Sequence, residues 1–348
     1  MTLEIIVAVV GVLLVWVALR DVFQTAVVPR APFARWRVST VVTTSLWKAW
    51  PTFASMFRDA KRREDVLASF APANMVLLLV LWAAIVGLGF GCVLYSLHWY
   101  LRPQPVAFND ALYFAYTTML TIGFGDIVPA APCTRYVAIA AGASGLGMVA
   151  VVTSYLFSIF GAFANRERYV IALGARSGTP PSGAALLETH GYAKLIDGLP
   201  ALFRDGQIWA AEVVQTQIAY PILSYFRSAD AHQSWVGTLG ILLDAATMAV
   251  TTLDDVPKGE AEIMLAIGRR AAHDLSAHHH MRGRHEPGCA KEHFDATRER
   301  LRRAGYSLRD ADQSWHDYTR LRQTYGPELN GIAKYYHLAN VPWSDTST

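Results

Sequence analysis

The thirteen residues Thr117–Pro129, TTMLTIGFGDIVP, are where this chain's residue types and spacing could do chemistry. Their centre, Thr121-Ile122-Gly123-Phe124-Gly125-Asp126, sets glycines two positions apart. A cation leaving water must exchange its hydration shell for other oxygens, and rings of backbone carbonyls supply them. In a regular strand successive residues face opposite ways, so half of the carbonyls would point off a common axis. Aiming all of them inward requires positive φ at alternate positions, which Gly123 and Gly125 permit at little steric cost. The Thr121 hydroxyl adds an oxygen at the inner end. Ile122 and Phe124 pack behind the carbonyls, and Asp126 serves as a brace or as a cation-attracting group at the outer end. One strand cannot surround an ion, so one motif per chain implies a homotetramer. The competing reading is a glycine-rich turn between two helices.

The flanks suit the first reading. Asn74–Leu101 and Tyr136–Ala164 carry no formal charge, and each is long enough to cross a membrane. Between them Asn109 or Asp110 suits an N-cap. Ala111–Leu120 follows as a short apolar helix, too short to span and suited to re-entrance. Its C-terminus would present the negative end of its dipole to a dehydrating cation. Gly142, Gly145 and Gly147, with Ala143 and Ser144, allow close helix approach or bending.

Motif and flanks together resemble the selectivity filter of the potassium-channel superfamily, whose usual form is T-x-G-Y/F-G-D, in its bacterial two-transmembrane pore-domain type. The resemblance implies an all-α membrane protein whose pore domain has an outer helix, a re-entrant pore helix, a filter and an inner helix. It implies that Thr121, Ile122, Gly123 and Phe124 bind potassium through their carbonyls. Gly125 and Asp126 would shape the outer mouth. Tyr113, Phe114 and Tyr116 lie where the family carries filter-clamping aromatics, and they suit a core equally well. Gly142, Gly145 and Gly147 become hinge candidates. Two residues depart from the pattern. Leu120 replaces the usual Thr or Ser before the first filter threonine, which bears on block from the cytoplasm. Phe124 replaces Tyr and removes a hydroxyl that could anchor the filter wall. Potassium enters as the permeant ion, with no cofactor and no other metal site expected.

The whole chain agrees with that class. Of its 348 residues 53% are hydrophobic and 17% charged, and the mean hydropathy is +0.23. This suggests a membrane protein with a sizeable soluble part. A net charge of +3 is too small to argue for nucleic acid; the expected partners are further copies of the chain and membrane lipids. Cys92, Cys133 and Cys289 form no disulfide framework.

Ile5–Val28 reads as a first span, retained as an anchor because a signal peptide would want a basic start and only Glu4 stands there. Its Arg20-Asp21 pair snorkels or pairs with a neighbouring helix, or else forms an intramembrane site. No basic residue precedes it, and after it come Arg30, Arg35, Arg37, Lys48, Arg58, Lys61, Arg62 and Arg63. The positive-inside rule then puts the N-terminus outside and the C-terminal half in the cytoplasm of a cell-membrane protein. Pro29 and Pro32 break the first helix. Trp36–Phe57 reads as an interfacial helix, since Lys48 and Pro51 interrupt a further span. Lys61-Arg62-Arg63 fixes topology, with anionic lipid as the second reading. His98 lies at the outer interface with Trp99 and Tyr100, and Arg102, Pro103 and Pro105 form an external turn. No span carries basic residues at every third position, so a conventional voltage sensor is absent.

The domains read as 1–29, 30–73, a pore domain 74–165, a linker 166–183 and a helical cytoplasmic domain 184–348. Helix-like spacing covers Ala184–Leu195, Gln207–Phe226, Ser234–Leu253, Glu260–Ala277 and Ala290–Ala304, with Leu308–Tyr325 and Leu329–Leu338 after them. There is no βαβ pattern with G-x-G-x-x-G, which argues against a nucleotide-binding regulatory domain. The ligand of this half is unknown. His273, His278, His279, His280, His285, His293 and Cys289 match no standard metal spacing and read as a solvated loop. Asp254-Asp255 reads as a helix-end turn, and RERLRR (298–303) as a solvated face with Glu299 opposite Arg303. No nucleophile–base arrangement stands out, so the chain reads as no enzyme. The alternatives are a weakly selective cation channel and a non-conducting membrane sensor that uses a channel-like region to oligomerise.

Overall fold

The computed structural model describes residues 2–28, 37–230, 233–278 and 290–338. Pro29, Pro32, Arg30, Arg35 and Trp36 lie outside them, as do His279, His280, His285 and Cys289. The described chain is all-α apart from one two-residue ladder and an isolated antiparallel bridge between Leu253 and Leu308. Three helical stretches, Thr2–Ala26, Ala60–Ser96 and Pro132–Gly174, are long and apolar enough to cross a membrane. The chain divides into two compact units, Met1–Phe160 and Gly161–Thr348.

In the first unit α1 (Thr2–Ala26) lies along α4 (Phe70–Ser96). Small residues set their separation: a Cβ on Gly11 would overlap the carbonyl oxygen of Gly89, and a Cβ on Gly89 would overlap that of Gly11. This is how membrane helices gain dispersion contacts where lipid offers no hydrophobic drive. Helix α2 (Val38–Ser55) and the short α3 (Ala60–Ala68) connect them. Pro51 sits inside α2 and does not end it. Trp47 is buried edge-on against Phe70 at 4.8 Å.

The sequence left two fates for Arg20-Asp21, and the two residues part company. Asp21 is buried at 3% exposure. It accepts hydrogen bonds from the Ser39 backbone N–H (3.0 Å), the Ser39 hydroxyl (3.0 Å) and the Trp82 indole (2.7 Å). One carboxylate thus caps the start of α2 and ties α1 to α4.

Helix α5 (Phe108–Met119) packs on α4, with the Tyr116 ring over Gly87 and Leu112 against Gly91. Residues 132–160 of helix α6 (Pro132–Gly174) complete the unit. Ala18, Phe90, Leu94, Phe114, Met119 and Ala141 meet in one core, and Val22, Trp82, Met148 and Val152 in a second. The turn after α4 pairs β1 (Leu101–Arg102) with β2 (Val128–Pro129), Leu101 opposite Pro129. The sequence expectation of a plain turn missed this ladder.

The expected start of the linker at residue 166 is corrected. Helix α6 runs on to Gly174, so residues 166–174 of the expected linker are helical. Charge ends a membrane span without ending a helix, and Arg, Glu, Ala and Leu are good helix formers. In the second unit Arg166 is buried and donates to the carbonyls of Leu223 and Phe226, each at 2.9 Å.

The rest of the second unit is a helical assembly around α9 (Trp235–Thr251), which is buried along nearly its whole length. Against it lie α7 (Gly183–Tyr192), α8 (Leu199–Ala219) and α10 (Gly259–His278), then α12 (Ala311–Arg322) and α13 (Gly326–Tyr335). Helix α11 (Lys291–Arg303) packs on α7 and α12. Helix α8 starts earlier than the spacing suggested and stops at Ala219, because Pro221 cannot continue it. Asp244 of α9 accepts from Arg322 (3.1 Å) and Tyr325 (2.7 Å), so the buried charge is paired. Glu299 meets both Arg302 and Arg303, as the helix face predicted.

Candidate functional site

The segment 120–126 hangs from the C-terminus of α5, and the start of that helix is fixed first. Asp110 was expected as a cap; it stands one turn in, accepting from the N–H groups of Val106 (2.9 Å) and Ala107 (3.1 Å). At the other end Thr121 N–H bonds the Thr118 carbonyl (3.0 Å) and Ile122 N–H the Thr117 carbonyl (2.8 Å). That pairing is a Schellman motif, which needs its first residue past the cap in the left-handed region. Glycine normally fills that place. Here Thr121 does, at φ 57°. A β-branched residue there is a backbone outlier, costing about 1–2 kcal/mol.

Gly123 follows at φ 58° and Gly125 at φ 80°. The alternation expected from two glycines therefore extends to Thr121. No atom outside the immediate chain lies within 4 Å of a Cβ built on Gly123 or Gly125. Backbone conformation, and not space, demands glycine at both.

Donors and acceptors are used differently. The amides of Thr121, Ile122 and Gly123 turn back onto Thr118 and Thr117. The carbonyls of Thr121, Ile122, Gly123 and Phe124 accept no hydrogen bond among the described residues, and all four residues are exposed in the single chain. The arrangement is a short run of oxygens, unpaired within the protein, beside the negative end of a helix dipole. It suits a dehydrated cation.

The Asp126 end of the motif is held from two sides. Tyr113 donates its hydroxyl to Asp126 at 2.8 Å, and its ring lies parallel to that of Phe124 with centroids 6.5 Å apart. Beyond, the ladder joins Val128 and Pro129 to Arg102 and Leu101, and Ala130 N–H bonds the Tyr100 carbonyl at 2.9 Å. Phe114 points into the core, and Tyr116 donates to the Ala84 carbonyl at 3.0 Å.

The glycines of α6 occupy unlike places. A Cβ on Gly145 would overlap the carbonyl oxygen of Met119, directly under the motif. Gly142 faces the Thr118 carbonyl at 3.6 Å, and Gly147 has nothing near it. Leu120 is exposed. Among the described residues no three His, Cys, Asp or Glu side chains come together to hold a metal ion.

Residues 76–162 match the family model described as "Ion channel". This segment is a potassium-channel-type pore domain. The match covers most of α4, all of α5 and the motif, and most of α6, with α1 as an added N-terminal helix. Over 190 residues the chain is 23% identical to "Uncharacterized membrane protein YdjJ" of Bacillus subtilis (strain 168). That similarity covers 53% of this chain and 54% of the relative, so the chain spans about half of that protein's length. No solved structure matches.

Sequence reasoning found the motif and its glycines. It missed the left-handed Thr121, and although it offered pairing with a neighbouring helix for Arg20-Asp21, it did not name the partners at the Asp21 junction, Ser39 and Trp82. The first had no signal in residue type, since threonine argues against positive φ. The second had a signal in an aspartate within an apolar helix, but its partners lie 18 and 61 residues away.

Proposed function

We propose that the chain forms a homotetrameric, potassium-selective channel conducting passively across the cell membrane. The observation that carries this reading is the run of unpaired carbonyls at Thr121–Phe124, on a backbone whose φ is positive at 121, 123 and 125. Four copies about one axis would give stacked oxygen rings that replace the hydration shell of the ion. The Thr121 hydroxyl would add the innermost oxygens. Ile122 and Phe124, 50% and 69% exposed in the single chain, would be covered by neighbouring copies. The basic residues between α1 and α4 support an external N-terminus and a cytoplasmic second unit. That unit regulates opening in this reading, so truncation after Gly174 alters open probability; unchanged gating would leave it an assembly role.

The test is potassium uptake into liposomes holding the purified protein, with and without barium. Barium-sensitive uptake that Gly123→Ala abolishes is the expected result. A correctly assembled protein that passes no potassium would overturn the proposal and favour the non-conducting sensor.

A further inference from the structure

The fate of Arg20 leads beyond conduction. Successive helix residues point about 100° apart, so Asp21 enters the junction with Ser39 and Trp82 while Arg20 faces outward. Among the described residues the Arg20 guanidinium makes no hydrogen bond and no ion pair; its recorded contact is the Trp16 ring, 5.2 Å from the centroid. It stands on the wall of a groove of about 660 Å³ within the first unit. Val12, Trp16 and Phe23 of α1, Phe90 and Val93 of α4, and Tyr136 of α6 line that groove. The wall is otherwise apolar, with Arg20 its one fixed charge.

We infer that this groove is a binding site for one anionic phospholipid, its phosphate on Arg20 and an acyl chain along α1 toward Val12. Three features favour that occupant. Arg20 lies six residues before the end of α1, about 9 Å along the axis, within reach of the headgroup level for a long side chain. Its planar donors match phosphate oxygens. From Arg20 to Val12 the groove runs about 12 Å of apolar wall, which a free phosphate would leave empty. An apolar helix from a second copy would fill the wall but bury the guanidinium without a partner, an expensive arrangement in a membrane. A phospholipid satisfies both ends. Seated there it touches α1, α4 and α6 together, joining the added N-terminal helix to the pore domain. The site does not depend on which ion the protein conducts.

The test uses the full chain purified in detergent. Native mass spectrometry measures retention of phosphatidylglycerol against phosphatidylcholine with identical acyl chains. About tenfold preference for phosphatidylglycerol is expected, and Arg20→Gln should erase it. Ala140→Phe, on the groove wall with Arg20 intact, should reduce retention of both lipids. Arg62→Gln with Arg63→Gln should leave the preference unchanged. The inference fails if Arg20→Gln retains phosphatidylglycerol as the parent does, or if the connector variant alone removes the preference. It also fails if a photo-crosslinker at Val12 captures a second copy of the chain instead of lipid.

Discussion

Gly145 and Gly147 are two residues apart on one helix, yet alanine should act oppositely at them. At Gly145 the new Cβ would overlap the Met119 carbonyl oxygen and lie 2.8 Å from both the carbonyl carbon and Cγ of that residue. Ordinary contact begins near 3.4 Å. Met119 is buried at 2% exposure and is the last residue of α5, so it has little room to yield. Helix α6 must back away from the base of the motif. Such overpacking costs about 1–3 kcal/mol per chain, repeated in each copy of an oligomer. At Gly147 nothing opposes the methyl, and alanine gains about 0.5–1 kcal/mol over glycine inside a helix. Thermal unfolding in detergent, with potassium uptake on the same preparations, reads both effects. Gly145→Ala should unfold earlier and conduct less, while Gly147→Ala should be at least as stable as the parent. If Gly147 is a hinge, its alanine variant also opens less often with no loss of stability. Equal stability of the two variants would refute the packing argument.

Thr121→Gly should relieve the left-handed strain of about 1–2 kcal/mol and lose about half of that to unfolded-chain entropy. The variant should melt no lower than the parent yet discriminate less between potassium and sodium, and a clearly lower melting point would contradict the strain assignment. Asp21→Ala strands the donors of Ser39 and Trp82 and should cost about 2–4 kcal/mol in chemical unfolding; a change under about 0.5 kcal/mol would show the junction to be incidental. In the second unit, hydrogen bonds from Arg204 and Gln207 hold the Glu260 carboxylate below its ordinary value of 4.5. A depressed carboxylate stabilises the fold above its unfolded pKa, and that part is lost as pH falls through the folded value. Urea midpoints should therefore drop less between pH 7 and pH 4 in Glu260→Gln than in the parent.

Local signals carried most of the architecture. Long apolar runs marked α1, α4 and α6, and 3.6-residue spacing marked the helices of the second unit to within a few residues, apart from α8, which starts and stops early. The motif was legible because glycine reports a backbone requirement directly. What escaped depends on distant partners or on context overriding propensity. Thr121 adopts a glycine-like conformation because the Schellman bonds to Thr117 and Thr118 hold it there. Charged residues marked the end of the membrane stretch, but α6 continues because a helix stops for backbone reasons and not for polarity. The split of Arg20 from Asp21 turned on helical phase against α2 and α4, which one helix alone does not reveal.

The claim beneath the whole account is that carbonyl oxygens at Thr121–Phe124 favour potassium over other cations. Its most direct measurement is the reversal potential across a planar bilayer holding the purified protein, with potassium on one side and sodium on the other. Each tenfold preference displaces that potential by about 59 mV. The account predicts a displacement of at least that size, in the sense of potassium permeation. A steady current reversing near zero would contradict it and leave a weakly selective cation channel.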